Sequence, residues 1–299
     1  MNLQTYNLFC YAVEEKSISG AAKRAFLSQP AVTKHIRQLE EHYESLLFQR
    51  ESNTITLTEA GERLYYYAKN IVQEYEQSKE AINNIRGTQT QSLLIGSSYT
   101  LGEYVLPEII SAFQSKSLDL SIQLSISSTP EILEDLEEGV IDAAFVEGEV
   151  ENPALDMREI ARDEIVLIVA AEHPWAKKRN IVPKNLLEGR MIRREKTSAT
   201  RKIIEKHLGE KLKLHSFNHT LELGTTQAIK SAVISGLGYG YVSRLTVRQE
   251  LRAGLLHEVN VSGIHIQRPL WVASRIQRFP KESTIAFTDF AQHFLLEKQ

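Results

Sequence analysis

The pattern of apolar residues changes in kind at residues 87–92, and this change constrains the fold more than any other feature. Before it, apolar residues recur at helical spacing. After it, short strand-like runs alternate with helical segments. The segment between them, Gly87-Thr88-Gln89-Thr90-Gln91-Ser92, is polar and loop-like. The sequence therefore predicts a mainly α N-terminal part and a separate α/β part over residues 92–299.

Residues 1–58 predict three helices followed by a short β-hairpin. Ser19 is expected to cap an alanine-rich second helix, and Ser28 a third helix with Pro30 in its first turn. The apolar stripe of the third helix is expected to be buried and contains Val32, Ile36, Leu39 and Tyr43. Two β-like runs around Ser52-Asn53 predict the hairpin. Helix, tight turn, helix and hairpin together are typical of a winged helix-turn-helix domain.

The charge of this N-terminal part points to DNA. Lys16 to Leu39 contains five basic residues and no acid, although the whole chain carries a net charge of −3. Donors and cations beside the buried stripe suit base edges and phosphates in a major groove. The predicted DNA contacts are Ser28, Gln29, Pro30, Thr33, Lys34 and Arg37, with Arg50 and Asn53 on the hairpin. The alternative is a three-helix bundle with a solvated basic face.

Residues 59–88 predict one long linker helix. Its apolar seam has spacings of four and three and contains Leu64, Ala68, Ile71, Tyr75, Ser78, Ile82 and Ile85. Thirty helical residues span roughly 45 Å. A lone helix of that length would expose the seam, so pairing with a second copy is expected. An internal core helix is the alternative. Pairing would place two copies of the third helix, the one predicted to contact DNA, on one duplex with two-fold symmetry.

Several other classes of protein are not indicated. One cysteine, Cys10, cannot form an intramolecular disulfide, and neither a signal peptide nor a transmembrane run is evident. We therefore expect a cytoplasmic protein with Cys10 in a core. His215 and His219 fall in a predicted strand without further ligands, so no metal is expected. Gly236–Gly240 follows a helix, which reverses the order of a dinucleotide motif. We expect no cofactor and no enzyme activity.

Specific motifs connect both parts of the chain to one family. The N-terminal motifs are Ala21-Ala22, Leu27-Ser28-Gln29-Pro30-Ala31-Val32-Thr33, Leu46-Leu47-Phe48-Gln49-Arg50 and Leu57-Thr58-Glu59-Ala60-Gly61. The C-terminal ones are Arg194–Arg201 and Thr226–Tyr241. On these residues the chain resembles the LysR-type transcriptional regulators over essentially its whole length. Thr197 and Ala199 occupy positions that are often glycine in that family.

The resemblance implies an α/β effector domain of the periplasmic-binding-protein type, with two lobes joined by two crossover strands. We expect the crossovers near residues 164–169 and 266–272. One lobe would then contain residues 92–164 and 271–299, and the other residues 170–265. The resemblance also implies a homotetramer of linker-helix dimers that binds double-stranded promoter DNA, with RNA polymerase as a candidate partner. A small co-inducer in the cleft would change DNA binding or bending.

Hydroxyl-rich corners between strands and helices are the candidate effector site. They contain Ser97, Ser98, Thr100, Thr129, Ser198, Thr200, Thr225 and Thr226. Hydroxyls and backbone N–H groups at helix N-termini bind anions, so the expected ligand is a carboxylate or an inorganic oxyanion. Arg194 or Arg201 could add a charge-assisted contact. At any single corner, ordinary helix capping is the alternative.

Two rival functions use the same α/β architecture. A solute-binding protein for transport would share the two-lobed domain, but the missing signal peptide and the N-terminal DNA-reading unit argue against it. An enzyme would need a nucleophile, metal set or cofactor motif, and the sequence shows none. A ligand-responsive DNA-binding regulator is the leading interpretation.

Overall fold

The computed structural model describes residues 2–51, 54–86, 91–115, 120–217 and 219–297. The chain forms two compact units, one of residues 1–91 and the other of most of residues 92–299. Within the described ranges, none of the helices could span a bilayer.

The first unit is a winged helix-turn-helix domain followed by a long helix. Its elements are α1 (Leu3–Glu14), α2 (Ile18–Arg24), α3 (Gln29–His42), β1 (Phe48–Glu51), β2 (Thr54–Leu57) and α4 (Glu59–Arg86). The hairpin is antiparallel and pairs Phe48 with Leu57 at its base. Ala21 and Ala22 are buried, and their small side chains let α2 pack closely against α1 and α3. The predicted architecture is confirmed.

Two local predictions in this unit are wrong. Ser17, and not Ser19, caps α2: its hydroxyl accepts a hydrogen bond from the Gly20 N–H at 3.1 Å. Ser19 lies inside the helix and is free to bond elsewhere. Tyr43 is 41% exposed, because α3 ends at His42 and the chain leaves the buried stripe there. Val32, Ile36 and Leu39 are buried as expected.

The only cysteine of the sequence is buried in this core. Cys10 lies on α1 with 4% of its surface exposed. Burial raises the pKa of the Cys10 thiol to about 12, so the reactive thiolate is scarce at neutral pH. The expected core role of Cys10 matches this position.

The start of α4 is locked to the hairpin. The Thr58 hydroxyl accepts from the Gly61 N–H at 3.0 Å and donates to the Leu46 carbonyl at 2.6 Å. The Thr58 N–H donates to the Leu47 carbonyl at 3.1 Å. A Cβ on Gly61 would lie only 2.1 Å from that same Leu47 oxygen. Glycine at position 61 therefore allows the close approach that fixes the hairpin beside α4.

The predicted seam of α4 divides into two parts. Leu64 and Ala68 are buried in the core of the DNA-binding domain, so these two positions are not open to a partner. Ile71, Tyr75 and Ile82 are 42%, 47% and 56% exposed. An unpaired apolar face is thus left on the later turns of the helix. The side chain of Ile85 lies outside the described residues.

The second unit is a nine-stranded mixed sheet covered by helices. Its strands are β3 (Gln91–Ser98), β4 (Leu120–Ser127), β5 (Ala143–Glu147), β6 (Leu155–Ala170), β7 (Met191–Arg194), β8 (Thr220–Leu223), β9 (Tyr239–Ser243), β10 (Leu256–Val259) and β11 (Ile266–Arg275). Its helices are α5 (Tyr99–Tyr104), α6 (Leu106–Gln114), α7 (Thr129–Glu137), α8 (Ala199–Gly209), α9 (Thr226–Ile234), α10 (Arg248–Arg252) and α11 (Glu282–Leu296). The strand order is β4-β3-β5-β11-β6-β9-β7-β8, with β10 also on β6.

Strands β6 and β11 join the two lobes. They pair antiparallel from Ile266 opposite Ile165 to Arg275 opposite Leu155, with an irregularity at Leu270/Trp271. β11 also pairs with β5 in one lobe, and β6 pairs with β9 in the other. Separate apolar clusters pack on both faces of the sheet in each lobe; the largest in one lobe surrounds Phe145 and Phe287, and the largest in the other surrounds Trp175 and Tyr239. The two-lobed fold is confirmed, and the crossover strands are longer than expected.

Two elements of the second unit differ from the sequence-based expectation. The apolar pattern predicts one helix from Tyr104 to Phe113, but α6 begins only at Leu106, because Val105, with φ −121°, separates it from α5, which contains Tyr104. The sequence also predicts a strand from Ser216 to Leu223, but β8 begins only at Thr220, after a 3-10 turn over Leu214–Ser216. His215 therefore lies in a turn. The described residues contain no cluster of His, Cys, Asp and Glu arranged to hold a metal ion.

The close approach at Gly61 yields a stability prediction. Gly61→Ala should lower the free energy of unfolding of the DNA-binding unit by about 1–3 kcal/mol, because the backbone must move away from the new methyl group. Gly224→Ala is the control, since no atom lies within 4 Å of its added Cβ. Urea titrations of the full chain, followed by circular dichroism, compare the two variants. Equal stabilities would contradict the assigned contact.

Candidate DNA interface and effector site

Helix α3 presents one apolar face to the core and one polar face to solvent. Opposite the buried stripe, Gln29, Lys34 and Arg37 are exposed, and Ser28 and Pro30 are exposed at the start of the helix. Among the described residues, neither Lys34 nor Arg37 forms an ion pair with an acid. Both cations are therefore available for phosphates or base edges.

Hydrogen bonds orient the first turn of this face. The Ser19 hydroxyl donates to the Gln29 side-chain oxygen at 3.0 Å, which holds that amide from the neighbouring helix. The Thr33 hydroxyl is half-buried and donates to the Gln29 carbonyl at 2.9 Å. The Gln29 NH₂ group keeps both of its donors. Ser19 therefore positions the Gln29 side chain. The sequence predicted Ser19 as a helix cap, because its contact with Gln29 arises only from the packing of α2 on α3.

Other basic residues near α3 differ in their availability. Arg24 is bonded to Glu14 at 2.5 Å and lies over the Tyr11 ring at 4.2 Å, so its charge is used inside the domain. Arg50 lies in β1 on the hairpin, where the backbone alone is described. Asn53 lies outside the described residues.

The predicted effector residues take different positions in the second unit. Ser97 and Ser98 are buried at the end of β3, where Ser97 donates to the Phe145 carbonyl at 3.0 Å and Ser98 donates to Glu147. Ser198 caps α8 by accepting from the Arg201 N–H at 3.3 Å. Thr225 caps α9 by accepting from the Ala228 N–H at 3.1 Å. Capping thus accounts for Ser198 and Thr225 in this structure.

Arg268 brings two of the predicted hydroxyls together, those of Thr100 and Thr200. Its Nη2 donates to the Thr100 hydroxyl at 3.1 Å, and its Nη1 donates to the Thr200 hydroxyl at 3.0 Å. Its Nε donates to Asp163 Oδ2 at 2.8 Å, and Nη1 lies 3.4 Å from Glu147 Oε1. Only 1% of Arg268 is exposed. Thr100 and Thr200 belong to different lobes. Arg268 lies on β11, which with β6 forms the two hinge strands that join the lobes, and its guanidinium therefore connects one lobe to the other.

The bridge includes some predicted residues and leaves out others. Ser98 joins it through Glu147, whereas Thr129, Thr225 and Thr226 have no described contact with Arg268 or its partners. Arg268, Asp163 and Glu147 were not predicted as site residues. Their only signal in the sequence is a charge inside an otherwise apolar strand, such as Asp163 before Ile165–Ala170. A charge in that place needs a partner, but the sequence does not say which.

Arg194 and Arg201, the two arginines proposed from the sequence as effector contacts, form ion pairs with other residues. Arg194 forms an ion pair with Glu195 at 2.8 Å and lowers the pKa of that carboxyl. Arg201 is buried and binds Glu205 at 2.6 Å and Glu222 at 2.7 Å. Both arginines lie within one lobe. Neither touches Thr100 or Arg268 in the described structure.

Burial controls the charge of Glu147. Loss of solvent raises the pKa of this carboxyl above its ordinary value, and the Arg268 charge opposes part of that rise. Asp163 faces Arg268 directly across the β6–β11 ladder. Arg268 therefore has one carboxylate partner at 2.8 Å, Asp163, and a more distant one, Glu147, whose pKa burial raises.

Comparison with known proteins decides the family. The model described as "Bacterial regulatory helix-turn-helix protein, lysR family" matches residues 3–62, and "LysR substrate binding domain" matches residues 86–295. A relative from Cyanidioschyzon merolae, named "Probable RuBisCO transcriptional regulator", is 33% identical over 98% of this chain and 97% of its own length. This chain belongs to the LysR family. It is a transcriptional regulator rather than an enzyme, and regulators of this family bind promoter DNA and oligomerise.

Solved structures of LysR regulators share the fold. CbnR in complex with its target DNA has a TM-score of 0.69 at 18% identity, covering 98% of this chain and 99% of that one. The regulatory domain of CcmR from Synechocystis PCC6803, in complex with 2-PG, has a TM-score of 0.61 at 24% identity. It covers 68% of this chain and 97% of the CcmR domain. The family membership leaves the transport and enzyme alternatives without support.

The exposed face of α3 predicts a specific effect on DNA binding. Arg37→Ala should weaken binding to an operator fragment by about 1–3 kcal/mol relative to random duplex, the amount for a lost bidentate base contact. Thr33→Ala should also lower the preference for the operator. Fluorescence anisotropy at fixed salt measures both affinities.

Arg63→Ala is the matched control for this prediction. Arg63 is an exposed arginine of the same unit, paired with Glu59 on α4, so the same charge is removed away from α3. If Arg37→Ala and Arg63→Ala reduce operator and random binding equally, Arg37 is not a base-reading residue.

The state of Glu147 predicts a pH effect on stability. Because its pKa is raised on folding, the folded protein holds this proton more tightly than the unfolded chain does. The free energy of unfolding of the natural protein, relative to Glu147→Gln, should therefore rise as the pH is lowered from neutral toward the ordinary pKa of a glutamate, about 4.3. Urea titrations across this range measure the difference, and a difference that falls on acidification would contradict the assignment.

Proposed function

We propose that this LysR-family chain is a one-component regulator whose α3 reads promoter DNA and whose effector domain binds a small oxyanion between its lobes. Binding of the oxyanion changes promoter affinity or DNA bending. The observation that carries this proposal is the meeting of Thr100 and Thr200, one from each lobe, at a single guanidinium on the hinge strands. A ligand placed there would contact both lobes at once.

The expected ligand is a small carboxylate or phosphate. Hydroxyls at the starts of α5 and α8, together with Arg268, match the chemistry that holds oxyanions. The CcmR regulatory domain, which shares this fold, was solved with 2-PG, 2-phosphoglycolate. That compound carries both a carboxylate and a phosphate, so it is a suitable first probe. No resident cofactor forms part of this proposal.

The proposed assembly is a homotetramer built from linker-helix dimers. The exposed apolar side chains of Ile71, Tyr75 and Ile82 on α4 support pairing of this helix with a second copy. Such a pair would present two copies of α3 to a DNA site with two-fold symmetry. We propose a cytoplasmic location, where promoter DNA and RNA polymerase, the further proposed partner, are found.

One binding experiment tests the proposal. Full-length protein is titrated onto a dyad-containing fragment from upstream of its own gene, a half-site fragment and random duplex, with and without 2-phosphoglycolate. We expect preference for the dyad over both other fragments and a change in affinity or mobility with 2-phosphoglycolate, while glycerol has no effect. Equal binding to all three fragments at moderate salt would overturn the DNA-reading part.

Variants separate the effector response from DNA binding. Thr100→Ala should abolish the response to 2-phosphoglycolate and leave operator affinity without ligand unchanged, because residue 100 lies in the cleft and not on α3. Thr288→Ala is the control: it is a buried threonine of the same unit that bonds within its own helix. Loss of DNA binding in Thr100→Ala would instead show that Thr100 is structural.

A further inference from the structure

The guanidinium of Arg268 is placed where a ligand of both lobes would bind. It lies on β11, one of the two hinge strands, and each of its three nitrogens has a partner on a different element. Asp163 on β6 holds Nε, while the hydroxyls of Thr100 on α5 and Thr200 next to the start of α8 hold Nη2 and Nη1. Nη2 therefore ends on a neutral hydroxyl, whereas Nη1 has both the Thr200 hydroxyl and, at 3.4 Å, the Glu147 carboxyl.

We propose that Arg268 is the residue that recognises the effector, and that a carboxylate or phosphate displaces the Thr100 and Thr200 hydroxyls from Nη2 and Nη1 while Asp163 keeps Nε. This inference rests on the proposed function and specifies how that site takes its ligand. The displaced hydroxyls lie beside the ligand and can donate to it. Without ligand, Arg268 connects the lobes through its hydrogen bonds to Thr100 and Thr200. With ligand bound, the ligand itself contacts both threonines and Arg268 and so connects the lobes.

Hydrogen-bond chemistry favours this exchange. An oxyanion offers the guanidinium a full negative charge, whereas a threonine hydroxyl offers only a dipole, so Nη2 and Nη1 bind an oxyanion more strongly. The planar fork of arginine matches the two oxygens of a carboxylate or phosphate. Asp163, paired opposite Arg268 in the β6–β11 ladder, fixes Nε and so directs the fork into the cleft. Fixing the side chain in advance lowers the entropy lost on binding.

Glu147 is the group that opposes the ligand. Its Oε1 lies 3.4 Å from Nη1, one of the two nitrogens that the anion would bind, and Ser98 donates to the same carboxyl. A charged Glu147 competes for Arg268 and repels an oxyanion. Burial raises the pKa of Glu147, and the Arg268 charge opposes part of that rise. Arg268 and Glu147 should therefore affect ligand affinity in opposite directions.

Opposite effects distinguish recognition from a structural tie. If the cluster only stabilised the hinge, changes at Arg268 and Glu147 would alter the melting temperature without opposite changes in ligand affinity. Arg158→Gln is the matched control, because Arg158 lies on hinge strand β6 and its partly exposed ion pair with Asp289 is away from the cleft.

The test is isothermal titration calorimetry on the full chain with 2-phosphoglycolate and with inorganic phosphate. We expect Arg268→Gln to weaken binding at least about tenfold, and Arg268→Lys to weaken it similarly because the charge stays but the fork is lost. Glu147→Gln should tighten binding a few-fold. Arg158→Gln should leave the affinity unchanged. Melting temperatures and circular dichroism establish that each variant is folded.

Each outcome decides the inference. Natural affinity in folded Arg268→Gln, or weaker binding in Glu147→Gln, would overturn it. If the Arg268 variants do not fold, the inference is tested by Glu147→Gln alone: tighter ligand binding supports it and weaker binding overturns it. If the natural protein binds neither probe, the proposed function fails together with this inference, whereas binding that survives in Arg268→Gln overturns this inference alone.

Discussion

The effector domain depends on the antiparallel pairing of β6 with β11. These two strands carry the chain between lobes, and each lobe builds its own apolar core on one end of the ladder. The ion pair of Arg268 and Asp163 lies inside this ladder and is buried on both sides. Removing one partner of a buried pair costs about 3–5 kcal/mol, because the other charge is left without compensation. The charges most useful to a ligand are thus also essential to the hinge.

In the DNA-binding unit, too, one element serves both the stability of the fold and the contact with a partner: helix α3. Helix α3 uses Val32, Ile36 and Leu39 to hold the domain together, so its opposite face is left for polar contacts. Its position is fixed by α2, whose alanines allow close packing, and its first turn by the Ser19–Gln29 hydrogen bond. The packing of the apolar side chains in the core therefore determines where the polar side chains of α3 are placed.

Much of this fold could be predicted because the signals are local. Helical spacing, the alternation of strands and helices, and turn residues predicted the winged helix-turn-helix, the long helix and the α/β domain. The failures have tertiary causes. Two serines two residues apart, Ser17 and Ser19, are both good caps, and only the backbone decides between them. The first seam positions, Leu64 and Ala68, are claimed by the domain core, which periodicity alone does not reveal.

The candidate effector site was the hardest part to predict. Hydroxyl-rich corners are visible in the sequence, but Arg268 and Asp163 are 105 residues apart and meet only through strand register. Nothing local distinguishes Arg268 from the paired surface arginines of the same unit. A buried charge is recognisable as such only when the strand around it is known to be covered on both faces.

The buried position of Cys10 has a practical consequence for spectroscopy. Its thiol is the only one in the sequence and is shielded within the helical core, so maleimide reagents will react with it slowly. A cysteine introduced on the surface of each lobe would then take a fluorophore or spin label selectively. The natural sequence is therefore a convenient background for measuring lobe separation by energy transfer or electron paramagnetic resonance.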